Sequence, residues 1–471
     1  LYFRGMHLHD LAFWFCAFFL LGIFLASVFN SLSAVLLLGL LLPAYFLFFR
    51  KFLIAFLSLA LLIGGLYFFV FDYARGFIEI PFDESSEVTG VVRKAEHFQS
   101  RQRLLVNLRD PHKGQIQVNA ARYPDFEYGD SLKISGIIKR PEGDFLDYYQ
   151  KENIAGISNY AQIELLESGR GNFVKAALLR LKNRIIRVFK SSLPSQKAAF
   201  LAGITLGERQ EFSKEFEEKM SLSGTTHLVA LSGYNISVIA MVAAGFFGVY
   251  FSRSATFYLS VLVIILFVLM TGGEASIIRA AIMGIIALLA KETERLYSMR
   301  NAIVIAAFAM ALFNPRILAF DLGFQLSFAA LLGIVYLMPV LQDVSGMHGK
   351  GRLDWKENML TTVSAQLAVV PLLLGNFGMF SLTSFLANIL ILSVIPVTMG
   401  LGFIMGGLGL FSDFLAGIVG VALNLLLSYE LWVIDLFSKI SLAIVTESFG
   451  FFAAALYYLF LIGFLFYERR R

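Results

Sequence analysis

The stretch Gly224-Thr225-Thr226-His227-Leu228-Val229-Ala230-Leu231-Ser232-Gly233-Tyr234-Asn235-Ile236 is where chemistry could begin. Polar groups recur there inside an apolar run, and Ser232-Gly233 stands where a helix would break. By type, His227 and Ser232 are a base and a nucleophile. On one continuous helix, however, five residues turn the chain by roughly 140°, so the two side chains diverge. They meet only if the helix unwinds at Gly233, and no acid is placed nearby to orient the imidazole. A pair of half-helices whose freed backbone groups face a polar path fits better. No catalytic residue is assigned.

Other charges stand in apolar surroundings. Gly203-Ile204-Thr205-Leu206-Gly207-Glu208-Arg209 sets an acid and a base at the end of a short apolar segment. Arg279 lies several residues into the apolar run that follows Gly272-Gly273-Glu274. A charge at bilayer depth costs at least ~2.5–3.5 kcal/mol. Arg279 therefore either pairs internally and fixes helix packing, or faces water as a lining cation that attracts a polyanion. Asp321 and Gln325, in Ala319-Phe320-Asp321-Leu322-Gly323-Phe324-Gln325-Leu326-Ser327-Phe328, pose the same alternative.

The elements that must position these residues are mostly membrane helices. Across 471 residues, 58% are hydrophobic and only 15% charged, with mean hydropathy +0.72. That excludes a soluble globular domain, where charge is nearer a quarter. Apolar runs at 11–29, 32–49 and 52–71 are each near the ~20 residues a spanning helix needs. Arg50 and Lys51 place the turn between the second and third in the cytoplasm. The N-terminus is then cytoplasmic, and the chain emerges outside after Phe71. From 195 to 467 apolar segments dominate, many short or broken by Gly and Pro, which is tolerated only inside protein or along a wet cavity. Tyr467-Glu468-Arg469-Arg470-Arg471 places the C-terminus in the cytoplasm.

Between the opening helices (6–72) and this region, the pattern changes twice. Over 76–168 apolar and polar residues alternate with period two at 87–92, 104–108, 115–119 and 131–138, separated by turn residues. About five short strands of this kind predict a small all-β barrel of OB-like form, although a small sandwich fits the same pattern. Its cations Arg93, Lys94, Arg101, Arg103, Arg122, Lys133, Lys139 and Arg140 could meet a phosphate backbone, with Phe98, Tyr123 and Phe126 as stacking faces. Acids such as Glu79, Asp83, Glu87, Glu142 and Asp147 offset them, so binding needs a one-sided patch. Over 172–194, Lys175, Arg180, Lys182, Arg184, Arg187 and Lys190 interleave with apolar residues. This predicts a basic amphipathic helix in the membrane interface, on anionic headgroups, with phosphate-backbone contact as the sharper alternative.

Several chemistries leave no trace. Cys16 is the one cysteine, so no intrachain disulfide forms. His7, His9 and Asp10 lack a second ligand set for a binuclear metal site, and no metal or cofactor is expected. No Gly-x-x-x-x-Gly-Lys-Ser/Thr loop exists; Gly346 to Arg352 lacks that spacing.

The order of motifs is more specific than any one of them. The run from Gly203 to Ile239 comes first, then the Arg279-Ala280 helix with Met283, then Gly323-Phe324-Gln325-Leu326-Ser327-Phe328. Gln366 with Pro371-Leu372 and Asn388 with Pro396 follow. This order resembles the competence domain of the ComEC-type DNA-uptake channels. Gly129-Asp130, Gly136, Phe145-Leu146-Asp147-Tyr148-Tyr149 and Ile154-Ala155-Gly156-Ile157 are similar to that family's outer domain. Asn235 stands where the family usually shows a second histidine. The resemblance implies a polytopic inner-membrane protein that passes single-stranded DNA inward during transformation. Gly207, Arg209, His227, Ser232, Gly233, Asn235, Arg279, Gln325, Ser327 and Asn388 would line the polar path. DNA would meet the eight outer-domain cations and Arg180, Arg184 and Arg187. Implied partners are membrane lipids, an outer DNA receptor, a separate nuclease, since no metallo-β-lactamase-like domain is seen, and a cytoplasmic motor or strand-binding protein. Oligomeric state is left open. A small-molecule or lipid transporter is the second reading, and a hydrolase on His227 and Ser232 the third.

Overall fold

The computed structural model describes all residues except 1–7, 50–51, 76–78, 99, 144, 230, 232, 294–297, 348–354, 441–442, 447–449 and 471. The Arg50-Lys51 turn and Ser232 thus lie outside the described residues. Helices α1 (Leu8–Phe29), α2 (Leu32–Phe48) and α3 (Phe52–Arg75) open the chain. Strands β1 (Ser85–His97), β2 (Arg101–Leu108), β3 (Gln115–Ala121) and β4 (Ser131–Ile137) follow, then α4 (Leu146–Glu152), β5 (Ile154–Asn159) and β6 (Gln162–Glu167). Next come α5 (Phe173–Ser192), α6 (Ser195–Leu206), α7 (Lys214–Leu222), a 3-10 turn (Thr226–Leu228), α8 (Gly233–Tyr250), α9 (Arg253–Thr271) and α10 (Ala275–Glu292). Then α11 (Met299–Phe313), α12 (Ile317–Phe320) and α13 (Leu322–Leu332) lead through a π-helical stretch (Gly333–Leu337) into α14 (Met338–Ser345). The chain closes with α15 (Trp355–Phe377), β7 (Met379–Ser381), α16 (Ser384–Leu392), α17 (Ile395–Gly409), α18 (Asp413–Lys439), β8 (Ala443–Val445) and α19 (Phe451–Arg470).

Among the described residues, six helices are long and apolar enough to cross a membrane, or seven if the bent pair α16–α17 is one span. The protein is a mostly helical, multi-pass membrane protein with a six-stranded mixed sheet near its N-terminal end. Two compact units divide it: Leu1–Leu178 with Ile285–Asp321, and Leu179–Gly284 with Leu322–Arg471.

In the first unit, α1 and α3 cross where both lack side chains. A Cβ on Gly22 would strike the Leu61 carbonyl, and one on Gly64 the Phe19 carbonyl. Close backbone approach at small residues is how helices associate without a hydrophobic driving force. Gly64→Leu should therefore separate α1 from α3 and lower the melting temperature of the detergent-solubilised protein by several degrees. An unchanged melting temperature would mean the helices do not touch there.

The sheet runs β5-β3-β2-β1-β4-β6, antiparallel except for the parallel pair β3–β5. The alternation read from sequence puts Val88, Leu104, Val106, Ile116, Val118, Leu132 and Ile134 into one core. Lys139 and Ile157 exchange backbone hydrogen bonds of 2.9 and 2.8 Å, which brings the chain past β4 against β5 and closes the ring β1-β2-β3-β5-β4. The sheet has six strands where about five were expected, because β6 adds to the free side of β4. Arg316 pairs with Asp72 at the end of α3 and donates to the Gln150 carbonyl at 3.0 Å. Asn314 caps the Lys151 carbonyl at 3.1 Å. The Lys151 carbonyl is an orphan acceptor at the end of α4, and the Gln150 carbonyl, which also takes the Asn153 amide, gains a second donor.

The second unit carries the broken helices. In α15, Pro371 supplies no amide, so the Leu367 carbonyl loses its helical partner. The Tyr457 hydroxyl of α19 donates to that carbonyl at 2.8 Å, and Tyr458 donates to Ala368 at 3.0 Å. α6 is buried along most of its length. The helix α5 forms as its pattern predicts, but its apolar face does not lie free for lipid. Ile186, Val188 and Phe189 are buried, and a Cβ at Gly406 or Gly409 of α17 would strike Ile185 or Val188. Two glycines in the last turns of α17 make room for α5, so its apolar face meets protein.

Candidate functional site

Val229 and Leu231, between the 3-10 turn and α8, are non-helical, so their backbone groups need other partners. Two side chains supply them, and a third serves the end of α6. Arg209 Nε donates to the Val229 carbonyl at 3.1 Å. Ser276 Oγ, at the start of α10, donates to the Leu231 carbonyl at 2.7 Å. Asn235 Nδ2 donates to the Ile204 carbonyl at 2.7 Å. That last acceptor is orphaned, because beyond α6 the amide of Gly207 turns back to Gly203 and that of Glu208 to Ala202. Gly207 sits in the left-handed region (φ 71°), with Leu231 where a Cβ would stand. The interruption is thus pinned between the end of α6 and the start of α10.

Asn235 is buried, so its replacement leaves a dry carbonyl without a donor. Asn235→Ala should cost about 1–3 kcal/mol, read as a lower melting temperature of the purified protein. No change would mean that the Ile204 carbonyl finds another donor.

Below this break, α10 carries Arg279. Its guanidinium donates to the Ser327 carbonyl of α13 and lies 5.7 Å from the Phe328 ring centroid. Phe324 stacks on Phe328 at 4.3 Å between centroids. Among the described residues no carboxylate comes within 4.0 Å of Arg279. The helix-fixing ion pair held open by the sequence is absent there, and a carbonyl and an aromatic face take its place. Arg209, by contrast, reaches Glu274 at 3.5 Å.

The profile of the family described as "Competence protein" matches residues 204–471, more than half of the chain. The chain belongs to this family. ComE operon protein 3 of Bacillus subtilis (strain 168) is 28% identical over 277 residues, covering 56% of this chain and 34% of that protein. The match thus covers about a third of the relative's length. No solved structure matches.

The competence-family region holds all ten sequence-assigned path residues, but not in one place. Gly207, Arg209, Gly233 and Asn235 gather at the pinned break, and a Cβ on Gly233 would stand 3.8 Å from Ala280 of α10. Arg279 and Ser327 meet directly, whereas Gln325 sits half-buried two residues earlier on α13. His227 sits on the 3-10 turn, two residues before Val229, with its surface exposed. Ser232 lies outside the described residues, and the His227–Ser232 pairing with it. Asp321, although inside the matched stretch, does not join this group: it pairs with Lys151 at 3.0 Å within the first unit. His7 lies outside the described residues, and Asp10 pairs with Arg300 at 2.5 Å.

Asn388 belongs to a second polar group. Ser384 Oγ donates to the Ser381 carbonyl at 2.7 Å and accepts from Gln366 Nε2 at 2.8 Å. That fixes the amide, leaving Gln366 Oε1 and, one turn along α16, Asn388 Oδ1 buried without a partner among the described residues. The sequence reading missed Glu430 altogether. It is fully buried in α18, accepts from Thr398 Oγ1 at 2.6 Å, and its other oxygen has no partner among the described residues. The available signal was an acid deep in the apolar run of α18, with Thr398 just past the α16–α17 bend.

Outside the family region, the cations of the sheet domain sort by partner. Lys94 and Arg103 pair with Glu96, Arg122 with Asp125 and Lys133 with Glu87. Arg93, Arg101, Lys139 and Arg140 are exposed with no carboxylate within 4.0 Å among the described residues. Arg93 is the extra residue of a bulge in β1 and donates to Gln115 Oε1 at 2.7 Å. Burial, then the Arg93 and Lys94 charges, push the Lys175 ammonium below its ordinary value, and it lies 4.5 Å over the Tyr128 ring. Of the stacking faces, Tyr123 is exposed, Phe98 is flanked by Arg101 and Arg103, and Phe126 is buried in the sheet core. Phe126 therefore cannot stack on a base.

Proposed function

We propose that this chain is the membrane part of a DNA-uptake machine and passes a single strand inward through its second unit. The observation that carries the reading is the pinned break at 229–235 beside Arg279, a cation without a carboxylate partner among the described residues. Irregular backbone and an uncompensated charge at membrane depth belong next to a wet, anion-accepting path. Membership of the competence family supports the substrate. The closed five-strand ring supports an OB-like reading of the outer domain, whose exposed Arg93, Arg101, Lys139 and Arg140 would meet phosphates on the extracytoplasmic side. Both chain ends then face the cytoplasm of a cell inner membrane. The strand would be handed over by an outer receptor and drawn in by a cytoplasmic motor or strand-binding protein.

Neutralising phosphates releases counterions, so binding by this chain should fall steeply with salt. Purified protein in detergent, titrated with fluorescent oligothymidylate, should bind more weakly as salt rises. Arg93→Gln with Arg101→Gln should flatten that slope. Indifference to DNA at low salt would defeat the proposal.

A transporter of small solutes is the second reading, favoured by Glu430 and Thr398 beside the bent α16–α17 pair, where transporters build mid-membrane sites. Saturable flux of a small solute through liposome-reconstituted protein that does not bind DNA would decide for it.

A further inference from the structure

We propose that Arg180, Arg184 and Arg187 of α5 form a comb that grips the phosphate headgroups of anionic lipids at the membrane boundary. The three residues are exposed, and among the described residues none has a carboxylate within 4.0 Å. The lysines of the same helix are engaged: Lys182 pairs with Glu208 at 2.9 Å and Lys190 with Glu211. At 100° per residue the arginines fall within about 60° of one another, and the row is about 10 Å long. Buried Phe189 lies about 180° from Arg180, so the comb points directly away from the packed face.

Depth comes from what the packed face touches. Ile185, Val188 and Phe189 stand where a Cβ of Gly406 or Gly409 would be, in the last turns of α17. Three residues later α18 begins, and Phe411 and Phe414 at that turn are 91% and 77% exposed. The contacts at 185–189 therefore set the Arg184–Arg187 end of the comb level with the end of two apolar helices, where headgroups lie. Because Ile186, Val188 and Phe189 are buried against protein, this end of α5 cannot sink into acyl chains, and what it offers lipid is charge directed at phosphate.

The same row fits a nucleic-acid backbone less well. Single-strand sites combine cations with aromatic platforms. Within the row itself the interleaved residue nearest that face, Asn183, carries no ring, and the aromatic residue of α5 that shares the face, exposed Phe173, stands two turns before Arg180. The sequence left this helix two roles, anionic headgroups or a phosphate backbone; the surroundings of its arginines favour the bilayer surface.

The test uses the full chain in neutral detergent, titrated with short-chain phosphatidylglycerol, with phosphatidylcholine, and with oligothymidylate, and read by melting temperature and fluorescence. The parent should be stabilised by phosphatidylglycerol and little by phosphatidylcholine, with the preference fading as salt shortens the screening length. The triple variant Arg180→Gln, Arg184→Gln, Arg187→Gln should bind phosphatidylglycerol on the order of a hundredfold more weakly, at about fivefold per arginine. Its oligothymidylate affinity should be unchanged. If the triple variant does not fold, Arg184→Gln alone should show the fivefold loss. Equal phosphatidylglycerol affinity in parent and variant overturns the proposal, as does a loss confined to oligothymidylate, which would hand the comb to the strand.

Discussion

Arg279→Ala should lower uptake of labelled DNA by at least about tenfold per protein molecule in the membrane, with little change in melting temperature. The two readouts separate because the substitution has opposing effects on stability. It removes a charge whose insertion costs ~2.5–3.5 kcal/mol. It also removes one charge-assisted hydrogen bond, to the Ser327 carbonyl, worth about 1.5–3 kcal/mol. These nearly cancel. Had Arg279 faced a carboxylate, truncation would have left an uncompensated buried charge and cost about 3–5 kcal/mol. The functional effect has no such offset. A cation near a phosphate at an effective dielectric of about 20 contributes up to about 4 kcal/mol at contact, so losing part of it slows passage by one to two orders of magnitude. Arg279→Lys should restore much of the uptake, since a point charge suffices for steering. If Ala leaves uptake per molecule intact while the melting temperature falls, Arg279 is a packing strut and the polar path must lie elsewhere.

What was legible in the sequence follows from period and cost. The three opening helices and the first four strands were visible because apolar runs near span length and strict alternation each have one structural solution in water and lipid. Arg279 and the break before Gly233 stood out because a charge or a glycine in an apolar run is expensive unless used. Other features are set by contacts between distant segments, which local pattern does not encode. The alternation of α5 says only that one face is apolar; that α17 covers it depends on Gly406 and Gly409, more than two hundred residues away. Asn235 reads as a polar lining residue until the amides of Gly207 and Glu208 are seen to turn back and orphan the Ile204 carbonyl. Phe126 reads as a free aromatic, yet it lies in the connection between β3 and β4, where its amide donates to Gln102 Oε1 of β2 at 3.3 Å and its ring joins the sheet core. Lys151 and Asp321, 170 positions apart in sequence, show the same limit for charge: the sequence left an internal pair and a lining role open for this acid, and only the distant lysine decides for the pair.

Gly333→Val should abolish uptake and destabilise the protein more than any substitution above. Gly333 opens the π-helical stretch after α13, and a Cβ there would overlap the Ser364 carbonyl of α15 and stand 2.7 Å from the Ala368 Cβ. The carbonyl is backbone and cannot swing aside, so the two helices must part. Overpacking a close crossing costs about 1–3 kcal/mol or more, and in a membrane no hydrophobic pressure pulls the helices back together. The π stretch matters for function as well. It inserts an extra residue per turn just after Ser327 and Phe328, and so sets the rotation at which α13 presents the Arg279 acceptor. Parting α13 from α15 therefore moves the contact on which Arg279 depends. Gly245 of α8 has open space where a Cβ would stand. Gly245→Ala should be neutral or slightly stabilising, since Ala exceeds Gly in a helix by about 0.5–1 kcal/mol. Thermal melts of both variants decide the matter: if Gly333→Val melts with Gly245→Ala, the close crossing does not exist, and the rotation of α13 must be fixed by something other than Gly333.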